Sequence, residues 1–207
     1  MRTFVYIDGF NFYYLAVKNT PYKWVDFNLL LKNLLNENNK IERIKYYTAM
    51  VEATENDPDK RKRQQIYLTA LKKYIPYFEY YKGHFLTTEI YMPLKKPEGE
   101  RRFVEVIKTE EKGSDVNLAV HLVNDAWKNL YDCAVIISND SDLVEAIKIV
   151  RYELKKTVGL LLPERSIQSK ELSKYANFIK RIRSGVIKIS QLPDIIPNSN
   201  IEKPKEW

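Results

Sequence analysis

Short apolar runs alternate along the chain with stretches whose apolar positions recur at helical spacing. Thr3–Ile7, Cys133–Ile137 and Thr157–Leu162 are nearly continuous apolar segments, as in strands buried on both faces. Between them, Phe10–Val17 and Asp142–Val150 are predicted as helices. The pattern also predicts strands at Ile41–Met50 and Ile75–Tyr81, a helix capped by Asp26, a basic helix from Asp57 to Tyr74 and a short helix over Ile167–Tyr175.

The stretch Ser114–Leu130 has the clearest helical periodicity in the chain. Its predicted inward face consists of Val116, Ala119, Val120, Val123, Ala126, Trp127 and Leu130. Asn117, His121 and Asp125 recur every fourth residue, so we expect them to form a polar stripe in contact with solvent.

Strands that alternate with helices predict an α/β fold, in which a mostly parallel central sheet is covered by helices on both faces. Two β-like stretches, His84–Met92 and Arg102–Thr109, flank a basic segment that contains proline and glycine, and they predict an inserted β-hairpin. We expect one domain over residues 1–190. Residues 191–207 contain several prolines and are predicted to be a loosely attached C-terminal tail.

Composition narrows the class of protein. The 207 residues are 44% hydrophobic and 29% charged, which indicates a globular chain rather than a disordered one. No apolar run approaches the ~20 residues of a membrane span, and Phe4–Ile7 is too short for a secretory signal. We therefore expect a cytoplasmic protein with no membrane partner. Cys133 is the single cysteine, so no intrachain disulfide is possible, and with two histidines a structural zinc site is almost excluded.

Four aspartates lie where the strands and helices of such a fold meet. Asp8 follows the first strand, Asp115 lies at a helix start, and Asp140 and Asp142 follow a later strand. Helix capping accounts for Asp8 and Asp115 taken singly, with Ser114 as a good N-cap. It does not account for both Asp140 and Asp142, because the second adds like-charge repulsion unless a cation or a salt bridge offsets it. A divalent cation bound by carboxylates is the usual remedy.

The charge balance favours an anionic partner. Lysine and arginine number 34 against 27 acidic residues, which gives a net charge of +7. Basic clusters interspersed with 15 tyrosines suit a phosphate backbone with stackable bases. A solubilising surface is the alternative. Tyr13, Tyr14 and Tyr91 are candidate stacking residues, although ordinary packing is the favoured interpretation of each.

Three short blocks together resemble the NYN domain, the LabA-like branch of the PIN-like nuclease superfamily, over about residues 3 to 180. The blocks are Asp8-Gly9-Phe10-Asn11, Lys112-Gly113-Ser114-Asp115 and Ser138-Asn139-Asp140-Ser141-Asp142. The resemblance implies a Rossmann-like, PIN-type three-layer sandwich, Mg²⁺ or Mn²⁺ held by acidic residues, and hydrolysis of RNA phosphodiester bonds. It implies Asp8, Asp115, Asp140 and Asp142 as catalytic metal ligands and Asn11, Lys112 and Ser138 as substrate-binding or supporting groups. We expect Lys60, Arg61, Arg63, Arg101 and Arg102 to guide the RNA.

Two positions depart from the pattern of these relatives: Asn139 replaces a usual glycine, and Asn177 a frequent aspartate. Three functions therefore stay open. The first is a metal-dependent ribonuclease acting on single-stranded or structured RNA, and the second is a non-catalytic RNA-binding module. The third, a small-molecule phosphohydrolase, ranks last because Phe10 occupies the second acidic position that its motif requires. The chain has no glycine-rich phosphate loop, and the sequence leaves homodimerisation open.

Overall fold

A six-stranded parallel sheet forms the centre of the molecule. The computed structural model describes residues 1–99, 101–164, 166 and 169–207. The strands are β1 Arg2–Asp8, β2 Lys40–Thr48, β3 Phe78–Lys82, β4 His84–Glu98, β5 Arg101–Lys112, β6 Cys133–Ile137, β7 Thr157–Pro163 and β8 Phe178–Ile182. The central sheet has the strand order β3-β2-β1-β6-β7-β8, and it confirms the predicted α/β fold class.

Helices cover both faces of this sheet. They are α1 Gly9–Phe12, α2 Phe27–Leu34, α3 Lys60–Tyr74, α4 Ser114–Trp127, α5 Val144–Lys148, α6 Lys170–Tyr175 and α7 Ser184–Ile189. A π-helical turn, Tyr13–Val17, continues α1, while a 3-10 turn, Ser141–Leu143, precedes α5 and a second π-helical turn, Ile149–Glu153, follows it. Among these described helices, none combines the length and the apolar character that a membrane crossing requires.

Two apolar cores lie on opposite sides of the sheet. Val5 and Ile7 of β1 face the core that α2, α3 and α7 close. Phe4 and Tyr6 of the same strand face the core that α4, α5 and α6 close. Because successive side chains of a strand point to opposite faces, both faces of β1 are buried, which explains its continuous apolar sequence. The molecule therefore has the three layers that the sequence predicts.

The orientation of α4 agrees with the prediction only in part: Ala126 is buried, and Ala119 and Val123 pack against the core as predicted. Val116, Val120 and Trp127, expected to face the core, are 66%, 57% and 76% exposed. The helix also packs on the sheet through Leu118 and Leu122, which are both buried.

The polar stripe of α4, predicted to contact solvent, faces the sheet. Asp125 is buried, and its carboxylate lies 2.6 Å from the Lys45 ammonium and accepts a hydrogen bond of 2.7 Å from the Tyr6 hydroxyl. His121 Nδ1 lies 3.0 Å from the Tyr47 hydroxyl oxygen. Asp125 is buried and His121 is half-buried, because both side chains have polar partners on the strands.

The inserted hairpin is confirmed and is longer than predicted. β4 and β5 form an antiparallel pair that is separate from the central sheet and connects β3 to α4. At its base, the Phe85 ring meets the Phe10 ring edge to face, with centroids 5.8 Å apart. The hairpin therefore rises beside the carboxyl end of β1.

Several element boundaries also differ. The helix predicted over Ile167–Tyr175 begins at Lys170, and Ile167 lies outside the described residues. The sequence did not predict β8 or α7. The N-cap of α4 is Gly113 rather than Ser114, and its φ of 96° is one that glycine adopts without strain.

The segment 191–207 is packed on the core, although its prolines predicted loose attachment. Leu192 and Ile196 are buried, and the Trp24 indole N–H donates a hydrogen bond of 3.0 Å to the Pro193 carbonyl. The Trp207 ring lies 6.3 Å from the Trp24 ring. The domain boundary at residue 190 stays a prediction, but the segment beyond it contributes to the same core.

Candidate active site

Asp8 lies at the carboxyl end of β1 and is almost fully buried, with 6% of its surface exposed. Its carboxylate accepts hydrogen bonds from the Asn11 backbone N–H at 2.9 Å and from the Ser138 hydroxyl at 3.0 Å. The pKa of Asp8 is raised to about 6, mainly by burial and also by the charges of Asp115 and Asp140, while the two hydrogen bonds act in the opposite direction. The predicted capping role of Asp8 is therefore real, but capping leaves the destabilised charge unexplained.

The loop after β6 is fastened to the loop after β1. These two strands are neighbours, and Ile7 pairs with Ile137 immediately before the loops begin. The Asn139 backbone N–H donates to the Asn11 side-chain carbonyl at 3.1 Å, and the Asp140 N–H donates to Ser138 Oγ at 3.1 Å. Asn11 and Ser138 thus hold the two acidic loops in register.

Asp115 lies on the first turn of α4, where the left-handed Gly113 turns the chain from β5 into the helix. Burial raises the pKa of Asp115, with further contributions from the charges of Asp140, Glu111 and Asp142. The charges of Asp115 and Asp140 thus act on Asp8, and those of Asp140 and Asp142 act on Asp115, so aspartates from three separate parts of the chain lie close together. None of the four forms a salt bridge with any lysine, arginine or histidine of the described residues.

A cavity of about 820 Å³ opens beside Asp8, and we call it the acidic cavity. Asp8, Asn11, Asp115 and Lys60 line it, while Asp140 and Asp142 do not. Its apolar walls are formed by aromatic side chains from α1, the π-helical turn that continues it and the hairpin, namely Phe10, Tyr14 and Phe85.

Glu111 also lines the acidic cavity, and the sequence interpretation missed it. Its carboxylate accepts hydrogen bonds from the Ser114 hydroxyl at 2.8 Å and the Ser114 backbone N–H at 3.2 Å. The only signal in the sequence is an acidic residue two positions before the glycine that precedes α4. Such a residue is ordinary at a strand end, so it did not stand out.

The donor set suits a hard divalent cation. Among residues 1–99, 101–164, 166 and 169–207, no group of three carboxylate, imidazole or thiol side chains is arranged to hold an ion. Mg²⁺ commonly binds one or two carboxylates and keeps several waters, so it does not need a preformed cage of protein ligands. The carboxylates at this site offer only oxygen atoms as ligands, so they suit an ion that binds one or two of them and keeps its other waters.

The predicted basic residues occupy different places. Of these residues only Lys60 lines the acidic cavity. Arg61 forms a salt bridge with Glu52 at 2.9 Å, and Arg63 is paired with Asp57 at 2.5 Å. The remaining basic residues lie on the hairpin, where Lys112 is paired with Glu110 at 3.0 Å and Arg101 and Arg102 are exposed near the tip.

Asn177 lies away from the acidic cavity. Its side-chain carbonyl accepts a hydrogen bond from the Val158 backbone N–H at 2.9 Å, near the start of β7. The acidic residues lie at the opposite, carboxyl ends of the strands. The aspartate-to-asparagine difference at this position therefore removes no charge from the cavity.

The amino-acid sequence of the chain matches a known protein family. A family model described as the NYN domain matches residues 2–185 of the chain. The chain belongs to the NYN domain family. NYN domains are part of the PIN-like nuclease superfamily, whose members are generally nucleases that use a divalent metal ion. At the level of the family, this membership supports a hydrolase that acts on RNA. Placement in the LabA-like branch stays a prediction.

Two individual proteins resemble this NYN domain. It is 32% identical to 6-hydroxy-3-succinoylpyridine 3-monooxygenase HspA of Pseudomonas putida, an alignment that covers all of this chain and 75% of that protein. A crystal structure of a protein of unknown function from Vibrio parahaemolyticus has the same fold, with a TM-score of 0.53 and 17% identity. That match covers 87% of this chain and 92% of the other, and it supports the fold alone.

Proposed function

We propose that this NYN domain is a metal-dependent ribonuclease that hydrolyses RNA phosphodiester bonds. One observation carries the proposal: at the carboxyl edge of the sheet the charges of Asp115 and Asp140 raise the pKa of Asp8, and the charge of Asp140 raises the pKa of Asp115, while no described lysine, arginine or histidine forms a salt bridge with these aspartates. Such an arrangement costs folding free energy, and a bound Mg²⁺ or Mn²⁺ offsets this cost.

Each side chain has a role that follows from its position. Asp8 is the fixed ligand, because Asn11 and Ser138 restrain its carboxylate. Asp115, on the first turn of α4, and Asp140 and Asp142, at the start of the 3-10 turn after β6, would supply the remaining oxygen donors. When bound, Mg²⁺ or Mn²⁺ lowers the pKa of a coordinated water and shields the phosphate charge. Lys60 attracts a substrate phosphate into the acidic cavity.

The basic groups outside the acidic cavity guide the strand toward it. Arg101 and Arg102 are exposed on the hairpin that rises beside the cavity, so they attract the RNA backbone before it reaches Asp8. Arg61, Arg63 and Lys112 each have an acidic partner, which reduces their contribution. The hairpin is therefore the principal guiding element.

Purified protein with Mn²⁺ and labelled single-stranded or hairpin RNA tests the proposal. Cleavage is expected, and Asp8→Asn or Asp140→Asn should reduce it at least 100-fold, on the order of the loss of a catalytic electrostatic group. Asp194→Asn is the matched control, because Asp194 is exposed and forms no salt bridge with a described residue. Equal cleavage by all variants would assign the activity to another site or to a contaminant.

A non-catalytic RNA-binding module is the alternative that the same experiment separates. It is favoured by the lack of a preformed three-ligand cluster among the described side chains. In that case, wild type cuts nothing, whereas Asp8→Asn and Asp140→Asn bind RNA equally well or more tightly because repulsion from phosphate falls.

The relationship to HspA supports a further candidate, the hydroxylation of an aromatic ring. A monooxygenase transfers one oxygen atom of O₂ to its substrate and reduces the other to water with two electrons from a reduced cofactor. The chain lacks a glycine-rich loop for a dinucleotide, which makes this candidate second to the nuclease. Oxygen consumption with 6-hydroxy-3-succinoylpyridine, a reduced nicotinamide and a flavin tests it directly, and no consumption above background would remove it.

A further inference from the structure

A second cavity of about 310 Å³ adjoins the acidic cavity, and we call it the aromatic cavity. The two share Phe10, Tyr14, Val51 and Lys60 as lining residues, so they lie side by side. This volume lies at the lower end of the range for ligand sites, which limits an occupant to about one ring system.

Aromatic side chains from distant parts of the chain line the aromatic cavity. Tyr13 follows α1, Tyr67 lies on α3, and Trp207 comes from the packed segment after residue 190. The Tyr67 and Trp207 rings lie 5.3 Å apart in an edge-on arrangement. Flat, polarisable walls of this kind favour a planar ring as the occupant.

Tyr46 presents a hydroxyl without a partner to the aromatic cavity. The residue is only 7% exposed, yet its hydroxyl forms no hydrogen bond with any described residue. Gln191 Oε1 is the one fully buried side-chain oxygen or nitrogen atom without a partner among the described residues, so the Tyr46 hydroxyl keeps some accessible surface and is open to a ligand in the cavity. Burial, aided by the nearby charge of Asp8, raises the pKa of Tyr46 above its ordinary value, and the hydroxyl therefore remains a donor at neutral pH.

Gly9 explains how Tyr46 reaches this position. A Cβ on residue 9 would lie 2.6 Å from the Tyr46 hydroxyl oxygen, which is closer than real contacts allow. The glycine of the first motif therefore makes room for the phenol as well as for the turn after β1.

The rim of the aromatic cavity is positively charged. Lys18, Lys23 and Lys60 line it, and none of the three forms a salt bridge with a described carboxylate. Arg63 is neutralised by Asp57, and Glu206 is the other acidic residue at the cavity. The excess of positive charge favours an occupant with an anionic group.

We propose that the aromatic cavity binds a planar aromatic ring that carries an anionic group. The ring lies between Tyr13, Tyr67 and Trp207, the Tyr46 hydroxyl donates to a ring substituent, and the anion faces the lysines. Two sources supply this chemistry: a nucleotide of the RNA substrate, or a small aromatic acid. The nucleotide source rests on the proposed nuclease function, whereas binding of an aromatic anion does not.

Calorimetric titration of the full chain in EDTA tests the proposal without cleavage. The probes are uridine 5′-monophosphate, pyridine-3-carboxylate and inorganic phosphate. We expect at least one aromatic probe to bind at least tenfold more tightly than phosphate. Tyr46→Phe should weaken that binding roughly two- to tenfold, the effect of one neutral hydrogen bond. Lys23→Gln should weaken it as well, while Lys32→Gln, which lines neither cavity, should not.

The two sources give different outcomes. Binding of the mononucleotide alone identifies the aromatic cavity as a base-binding part of a nuclease site. Binding of pyridine-3-carboxylate alone supports the cavity and assigns it to small aromatic acids.

The cavity proposal and the nuclease proposal fail separately. If no aromatic probe binds more tightly than phosphate at millimolar concentration, or if Tyr46→Phe and Lys23→Gln both bind as well as wild type, the aromatic cavity is not a ligand site. RNA cleavage is measured independently with Mn²⁺, so its absence alongside intact probe binding contradicts the nuclease and leaves the cavity standing.

Discussion

At the scale of single residues, Asp8 combines burial with a charge that its surroundings disfavour. Its pKa is about 6 in the folded protein, against about 3.9 in an unfolded chain. The folded state therefore prefers the protonated form, and the group lowers stability as the pH rises from about 4 through 6. Capping of α1 by Asp8 does not depend on the negative charge, because an asparagine side chain accepts the same hydrogen bond.

Asp8→Asn should therefore raise the free energy of unfolding by about 3 kcal/mol at pH 8 in EDTA. The gain over wild type should shrink toward zero by about pH 4, where both states of the wild-type residue are protonated. Urea denaturation at the two pH values measures the difference. A gain that is the same at both would show that the charge of Asp8 is not the cause.

Lys45 and Asp125 form a buried ion pair, in which each charge has the other as its partner. Lys45→Met should destabilise the protein by about 3–5 kcal/mol, since Asp125 is left without its cation. Replacing Lys45, Asp125 and Tyr6 together by Met, Leu and Phe should recover most of this loss. Urea midpoints of the single and triple variants test the idea, and a triple variant as unstable as the single one would contradict it.

At the scale of elements, the face that α4 turns to the sheet can be tested with two neighbouring positions. Val120→Lys should change the free energy of unfolding by less than about 0.5 kcal/mol, because this side chain is exposed. Leu122→Lys should prevent stable folding, because an unpaired ammonium would be buried in the core. Thermal denaturation followed by circular dichroism distinguishes the two variants. The reverse order would restore the orientation that the apolar periodicity predicts.

The sequence predicted most reliably the strands that are buried on both faces of the sheet. β1, β6 and β7 are buried on both faces, so their apolar runs identified them. The buried face of α4 was predicted only in part, because it includes the charged Asp125, whose partners come from β1 and β2. Periodicity counts apolar residues, and it does not detect a polar face that becomes buried through pairing.

The candidate site was predicted only as far as local motifs extend. Asp8, Asp115 and Asp140 stand beside strand ends or helix starts, where the topology of a parallel sheet brings them together. Glu111, Tyr46 and Trp207 belong to no motif. Their presence at the two cavities depends on the path of the hairpin, β2 and the last segment, which no local pattern specifies.

At the scale of the whole molecule, the last segment joins the core despite its prolines, and two adjacent isoleucines test this. Ile196 is buried and Ile195 is 61% exposed. Ile196→Ala should lower the free energy of unfolding by about 2–5 kcal/mol, and Ile195→Ala should have little effect. Guanidinium denaturation measures both. If neither change matters, the segment is attached as loosely as its sequence predicted.

The position of β1 between β2 and β6 has a consequence for protein synthesis. The ribosome releases β1 and β2 early, but the other neighbour of β1 follows only after the hairpin and α4 have been made. During that interval the nascent chain has an unpaired apolar strand edge, which is a site for aggregation. A chaperone that shields the emerging amino-terminal half would therefore increase the yield of folded protein, even though the finished sheet has β1 at its centre.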